Sequence, residues 1–456
     1  MELKKTIESG HNYFSRAVKN GFFHIFGGST LTKCISAFSS ILIPLILTKS
    51  AYASIGYAEY LMGYLLLFNG LGVSNAVLRY CAVFDSPEEK KSYFSYAVKF
   101  GVFIDIIFIA VVAIAMFILD KLHIFHIQYD SGYLLLSLAL IPVFQLVFDC
   151  IQYFFRANRA NKSYSKTSVI FTTFYGTSQI VLAFFFATNG IVIGRYIAYT
   201  ATLLIAYMIL KKMPTFNVKS YKISKAEKKD MHKYSANFML ANVFSQIMPI
   251  NEAVILGFMV SSNDFADFKA ASVLPASMQF ITMSAIIFVF PYFAKNYRDG
   301  KYIMRNAKKL FIGLSAAMLI ITVAGVLLSP EIVKIFGAKY RTGHATMLMQ
   351  LFFVTFGINS AIRMPVGNIL AAIGEVRFNI FNAIFSSTVH LGICVFLITN
   401  FGIFGAAYGL LSVYALGAVA ALIYLRYYCK KLEKKQSISS REIQTLPDDQ
   451  IEEIDP

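Results

Sequence analysis

The sequence predicts an all-α integral membrane protein of about twelve transmembrane helices in two pseudo-symmetric six-helix bundles, on three observations. Apolar stretches recur along almost the whole chain. The basic residues gather in every second gap between them. The composition, 57% apolar and 15% charged with a mean hydropathy of +0.59, gives a soluble fold far too much apolar surface to hide. A crossing of the hydrocarbon core takes about 20 mostly apolar residues, and Leu134–Phe155, Leu310–Leu328 and Gly402–Tyr424 meet that length. Backbone groups in lipid must be satisfied within their own segment, so runs this long are helices. Spanning strands would be nearer ten residues with strict alternation, which the chain lacks.

The helices are placed at 18–47, 53–82, 90–119, 132–156, 164–189, 191–212, 232–259, 265–293, 306–328, 342–372, 377–400 and 403–428. Both ends and the gaps after every second helix hold 33 of the 42 Lys and Arg, whereas the opposite gaps hold Lys49, Lys121, Lys269, Lys334, Lys339 and Arg341. Positive residues remain cytoplasmic, so both termini are expected there, in a multi-pass protein of a bacterial inner membrane. The net charge of +17 is thus a topology signal. Spread over several loops and both ends, it does not form a nucleic-acid surface.

No cleavable signal peptide is expected, because the first apolar run begins near Gly21 and carries Lys33. Cys34, Cys81, Cys150, Cys394 and Cys429 lack ligand spacing, and His123 with His126 are too few for a metal site. The eight-lysine gap Lys211–Lys233 divides the chain into a bundle at 1–212, a basic linker at 213–231, a second bundle at 232–430 and a polar tail at 431–456. The halves resemble each other. Ala53–Tyr80 can be laid on Asp264–Tyr292, ANRANKSY from Ala157 on AAIGEVRF from Ala371, and Gly190 of NGIVIG on Gly402 of NFGIFG, at nearly one shift.

There is no glycine-rich loop ending in Gly-Lys-Ser/Thr, which excludes nucleotide hydrolysis through that motif. Charged residues inside spans are therefore the best functional clues, since each costs several kcal/mol unless it meets water or a partner. Lys33 in the first helix and Arg363 in the tenth, just before Pro365, read as cavity cations or as packing charges. Arg195, near the start of the sixth helix, reads as a snorkelling anchor near the outer interface. Arg79 closes the second helix, and Arg156 with Arg159 follows Tyr153-Phe154-Phe155. These fit an interfacial belt or contacts to phosphorylated lipid headgroups. Among the acids, Glu252 near Pro249 is the first candidate for proton or Na⁺ coupling. Asp105, Asp149 and Glu59 follow it, and balancing the cavity cations is their other reading. No further cofactor is expected.

GFFHIFGGSTLTKCISAFSSILIPLIL at 21–47, YASIGYAEYLMGYLLLFNGLGVSNAVLRY at 52–80, AAIGEVRFNIFNAI at 371–384 and NFGIFGAAYGLLSVY at 400–414 carry a resemblance. The chain resembles the polysaccharide-exporter branch of the superfamily that also holds multidrug/toxin extruders and the lipid II flippase, over residues 15–430. That resemblance implies a two-bundle transporter, not an enzyme, that flips undecaprenyl-diphosphate-linked oligosaccharides such as O-antigen by alternating access. It also implies Lys33 and Arg363 as cavity cations, with Lys33 standing where related flippases frequently carry Arg. Anionic membrane lipids, a polysaccharide polymerase and a chain-length regulator would be its partners. Two other classes compete. A cation-coupled multidrug extruder would prefer an acidic cavity, and a membrane-embedded polymerase or ligase would need a large outer loop, which the short gaps here do not supply.

Overall fold

The computed structural model describes residues 22–121, 128–341 and 344–444, and the expectations for both chain ends and for His123 and His126 fall outside them. Among the described residues every regular element is helical. In chain order these are α1 (Phe22–Ile46), α2 (Lys49–Leu67), α3 (Val73–Val83), α4 (Pro87–Lys121), α5 (Ser131–Leu138), α6 (Ile141–Ala157), α7 (Asn161–Lys211) and α8 (Lys225–Met259). There follow α9 (Ser262–Ala276), α10 (Gln279–Lys295), α11 (Gly300–Ile335), α12 (Ala345–Ile358), α13 (Met364–Ala372), α14 (Val376–Phe401) and α15 (Ile403–Gln444). Among the described residues eight helical runs are long and apolar enough to cross a membrane. Two bent pairs also qualify as single spans, α5 with α6 at 50° and the two arms of α8 at 47°.

Local chemistry sets where several of these begin and bend. The Thr48 hydroxyl accepts from Ala51 N at 3.2 Å, so α2 starts at Lys49, before the Ala53 that hydropathy suggests. Ser224 and Glu227 form a reciprocal cap at 3.2 and 2.7 Å, which carries α8 back to Lys225, into what reads as linker. Pro249 removes the bond to the carbonyl one turn earlier, and α8 bends between Phe244 and Gln246. Gly70, Leu71 and Gly72 all have left-handed backbone (φ 52°, 51° and 79°), and this break separates α2 from α3.

Helix α7 is two arms. At Ala187 (φ 48°, ψ −127°) the chain folds back, so that a Cβ on Gly190 would lie 2.0 Å from the Leu182 carbonyl oxygen. Ser178 Oγ reaches across to donate to the Gly194 carbonyl at 2.8 Å. The second half repeats this turn: Gly402 (φ 57°, ψ −139°) joins α14 to α15, and a Cβ on Gly405 would lie 2.1 Å from the Leu397 carbonyl oxygen. Ala187 therefore matches Gly402, and Gly190 matches Gly405, each pair 215 residues apart. The sequence match of Gly190 with Gly402 is corrected by one helical turn, because the backbone turn and not the NGIVIG/NFGIFG text fixes the register. The turns ending α6 and α13 keep the same spacing. Ala160 N donates to Phe155 O and Glu375 N to Leu370 O, both at 2.8 Å, through Arg159 (φ 55°) and Gly374 (φ 86°).

Such a backbone suits glycine and strains alanine. Ala187→Gly is expected to stabilise the purified protein by about 1 kcal/mol, read as a thermal midpoint a few degrees higher in detergent. An unchanged or lower midpoint would show that the turn carries no strain.

Two compact units emerge from the contacts, Met1–Ala270 and Ala271–Pro456. The division falls at Ala270 and not in the basic gap, because α8 is held within the first unit by tyrosines. Tyr64 donates to Asn251 Oδ1 at 2.6 Å, Tyr80 to Asp230 Oδ2 at 2.5 Å and Tyr129 to the Val260 carbonyl at 2.8 Å, while Tyr96 pairs with His232 at 2.9 Å. The segment before α8 is docked as well: Lys91 donates to Val218 O at 2.5 Å and Tyr221 N to Ser92 Oγ at 2.8 Å. In the first unit α1 lies against α7 through small residues. A Cβ on Gly28 would sit 1.9 Å from Ser165 Oγ, and one on Gly176 would sit 2.2 Å from Ser39 Oγ. In the second unit a π-helical turn at Asn359–Arg363 joins α12 to α13, and the Ser360 carbonyl accepts from Thr282 Oγ1 at 2.7 Å.

Candidate functional site

The close approach of α1 to α7 leaves a cavity of about 320 Å³ beside Lys33. From α1 it is lined by Gly28, Thr32 and Lys33, from α6 by Phe148. From α7 come Tyr164, Ser165, Ser168, Phe171 and Thr172. The chemistry of this lining follows from the start of α7, where hydroxyl residues recur at helical spacing and turn one face polar. Ser168 Oγ donates to the Tyr164 carbonyl at 2.9 Å, and Thr172 Oγ1 to the Ser168 carbonyl at 3.0 Å. Behind them the buried Gln152 amide donates to Ser168 Oγ at 3.0 Å, and its oxygen accepts from Thr167 Oγ1 at 3.2 Å. Phe148 and Phe171 stand 4.8 Å apart as an apolar wall. Lys33 is exposed, and among the described residues no carboxylate lies within 4.0 Å of its ammonium.

Arg156 joins this neighbourhood: its guanidinium lies 5.6 Å from the ring of Tyr164 and 6.0 Å from that of Tyr153. Arg159 is exposed in the left-handed turn after α6. Arg79 is exposed on α3, 4.4 Å from the Tyr234 ring and 5.6 Å from that of Tyr80. Arg363 lies in the other compact unit, in the π-helical turn. Its Nη1 donates to Asn359 Oδ1 at 3.3 Å, its guanidinium lies 4.9 Å from the Tyr414 ring, and among the described residues Nε finds no acceptor. Among the described residues no carboxylate pairs with it either. At the repeat spacing, Arg363 with Tyr414 takes the place that Phe148 with Tyr199 takes in the first unit. The two halves have put an aromatic ring and a cation at matching positions.

The acids fall into different roles. Glu59 holds two cations, Arg195 through Oε1 and Lys269 through Oε2 at 2.6 Å. Arg195 also donates from Nε to Gln179 Oε1 at 3.0 Å and is 5% exposed. It is therefore not a snorkelling anchor. The turn at Ala187 folds the second arm of α7 back, which carries Arg195 inward to face Gln179 and α2. Lys269, which the charge count places in a gap, is a helical residue of α9 and mostly buried, with Lys49–Asp267 as a second ion pair between α2 and α9 at 2.6 Å. Asp105 is buried, and its Oδ1 accepts from Gly70 N at 2.6 Å, so it clamps the break between α2 and α3. Glu252 is buried on α8 beside Asn251, the acceptor of Tyr64. Asp149 is half-buried on α6 beside Gln145. What sequence reasoning missed was the hydroxyl face of α7 and Gln152. Their signal was present in Ser163, Ser165, Thr167, Ser168 and Thr172 within the first turns of that helix.

Residues 17–297 match the family model described as polysaccharide biosynthesis protein. Solved structures share the fold. A lipid II flippase MurJ in an inward closed conformation matches with a TM-score of 0.68 and 16% identity over 93% of each chain. A multidrug resistance MATE family transporter of the MOP superfamily, in an inward-facing conformation, matches with a TM-score of 0.66 and 14% identity. That match covers 88% of this chain and 96% of the other. An outward-facing MATE family transporter gives 0.61 and 12% identity over 92% and 96%. At these identities the likeness is one of fold. Comparison with curated protein sequences gave no match.

Proposed function

The chain belongs to the polysaccharide biosynthesis protein family, and from that premise we propose that it is a flippase for undecaprenyl-diphosphate-linked oligosaccharide units in a bacterial inner membrane. The observation that supports the reading is the pair of cations on apolar helices without carboxylate partners among the described residues, Lys33 beside a hydroxyl-lined cavity and Arg363 in the π-helical turn. An isolated cation at membrane depth costs about 2.5–3.5 kcal/mol on insertion scales. A packing role would have been met by a neighbouring acid, as Glu59 meets Arg195 and Lys269.

The cargo's polyprenyl tail can stay in lipid, while its diphosphate and sugars cannot enter hydrocarbon. Fixed cations and hydroxyls replace part of the water that the headgroup loses. This lowers the barrier without any covalent step, and the repeat of hairpins in the two halves suits alternating exposure of the site. A cationic drug, the cargo of the competing extruder reading, would be repelled by both cations. The test is transport in proteoliposomes: purified protein should move a polyprenyl-diphosphate oligosaccharide to the face where an added lectin binds it. Failure to move that lipid, with efflux of a cationic dye instead, would replace this reading by the extruder.

Coupling is a separate proposal and rests on Glu252, buried beside the Pro249 bend of α8. A helix freed of one backbone bond leaves carbonyl oxygens that can join a carboxylate around a proton or Na⁺. Glu252→Gln keeps size and hydrogen bonding but cannot titrate. Its transport is expected to continue without the acceleration that an imposed pH or Na⁺ gradient gives the parent protein. A wild-type response to both gradients would remove Glu252 from coupling.

A further inference from the structure

We infer that the cavity beside Lys33 receives one sugar ring bearing a carboxylate, as in a hexuronic acid, and not the diphosphate of the same cargo. The inference rests on the flippase reading and concerns which part of the headgroup this cavity reads. Its volume, about 320 Å³, lies at the small end of the range of ligand pockets and suits one ring instead of a chain of them.

The hydrogen-bond polarity of Ser168 and Thr172, two of the lining hydroxyls, discriminates between the two anions. A diphosphate offers acceptors only and is held by N–H and O–H donors, commonly the planar fork of Arg or backbone amides. Here the Ser168 and Thr172 protons are committed to carbonyls of α7, at 2.9 and 3.0 Å. Their oxygens therefore present lone pairs, with Ser168 fixed from behind by the buried Gln152 amide at 3.0 Å. Lone pairs repel phosphate oxygens and accept from sugar hydroxyls. The rings of Phe148 and Phe171 offer an apolar wall to the C–H face of a sugar. Lys33 then supplies one positive charge, with no carboxylate partner among the described residues, of the point-like kind that suits a single carboxylate, whereas a neutral sugar would leave it unmatched.

The experiment is equilibrium binding of the full-length protein in detergent to three short-chain polyprenyl diphosphates: one bare, one carrying glucose, one carrying glucuronic acid. The expected order for the parent protein is glucuronyl tightest, by roughly tenfold over glucosyl. Lys33→Gln should erase that margin and leave the bare diphosphate unchanged. Thr172→Val, which keeps shape and loses the acceptor, should weaken both sugar probes several-fold and spare the bare one. Equal loss of bare and glucuronyl binding in Lys33→Gln would make Lys33 a phosphate contact and overturn the inference. So would the absence of any glucuronyl preference in the parent protein while all three probes bind. If no probe binds the correctly folded parent, the flippase reading itself falls and takes this inference with it.

Discussion

Alanine at both Lys33 and Arg363 is expected to cut transport of the lipid-linked oligosaccharide by roughly 100-fold or more, with protein level in the membrane unchanged. A hydrogen bond to a charged group contributes about 1.5–3 kcal/mol, each 1.4 kcal/mol is tenfold, and the two cations lie in different compact units. Loss of one such contact is worth about tenfold or more, and loss of both is expected to reach the larger figure. Folding should tolerate the loss, because neither cation has a carboxylate partner among the described residues for its removal to strand. Arg363 has a local role as well, bonded to Asn359 and set against Tyr414, so Arg363→Lys is the control. Lysine keeps the charge and loses the planar fork, and should retain much of the rate. The measurement is the initial rate of lectin-accessible glycan in proteoliposomes. A double variant that transports at the parent rate would show that neither cation meets the cargo.

Loss of the Glu59 carboxylate should destabilise the first unit more than loss of either of its partners. Glu59→Ala leaves Arg195 and Lys269 facing each other without an intervening negative charge, whereas Arg195→Ala or Lys269→Ala leaves a neutral pair. Stranding a buried charge costs about 3–5 kcal/mol, a large part of the stability of most proteins. Glu59→Ala should therefore be poorly recovered from membranes. Combining it with Lys269→Met should restore part of the yield, since one uncompensated cation is then left instead of two. Size-exclusion profiles and thermal midpoints in detergent give the ranking. Equal midpoints for Glu59→Ala and Lys269→Ala would show that the cluster is hydrated and carries no such penalty.

These two clusters differ in how legible they were. Lys33 and Arg363 stand out in the sequence because a lone cation in an apolar run has a cost that hydropathy registers directly. Glu59 stands out for the same reason, but its partners do not. Arg195 looks interfacial when its distance is counted along a helix, and Lys269 is counted with the outer gap it adjoins, near the start of the span expected at 265–293. Nothing in a linear count marks that the chain reverses at Ala187, an alanine in a backbone conformation that glycine favours. The sequence match that placed Gly190 on Gly402 slipped by one turn for the same reason. Asp105 is a related case: its inward direction followed from its apolar neighbours, but its acceptor role depended on three left-handed residues in the break between α2 and α3.

The chain alone determined the all-helical membrane fold, the succession of its spans and the presence of a repeat. Each of these is set by local quantities, namely apolar length, basic bias and cap chemistry, that act within a few turns of one helix. Only the tertiary structure decided the partners: that α8 packs with the first unit, that Arg195 and Lys269 share Glu59, and that Lys33 opens on a cavity where Ser168 and Thr172 donate to carbonyls of α7. These depend on which faces meet at the hairpin turn and at the α1–α7 crossing. In a membrane both faces of a helix are apolar enough to meet lipid, so hydropathy carries no label for the face that meets protein.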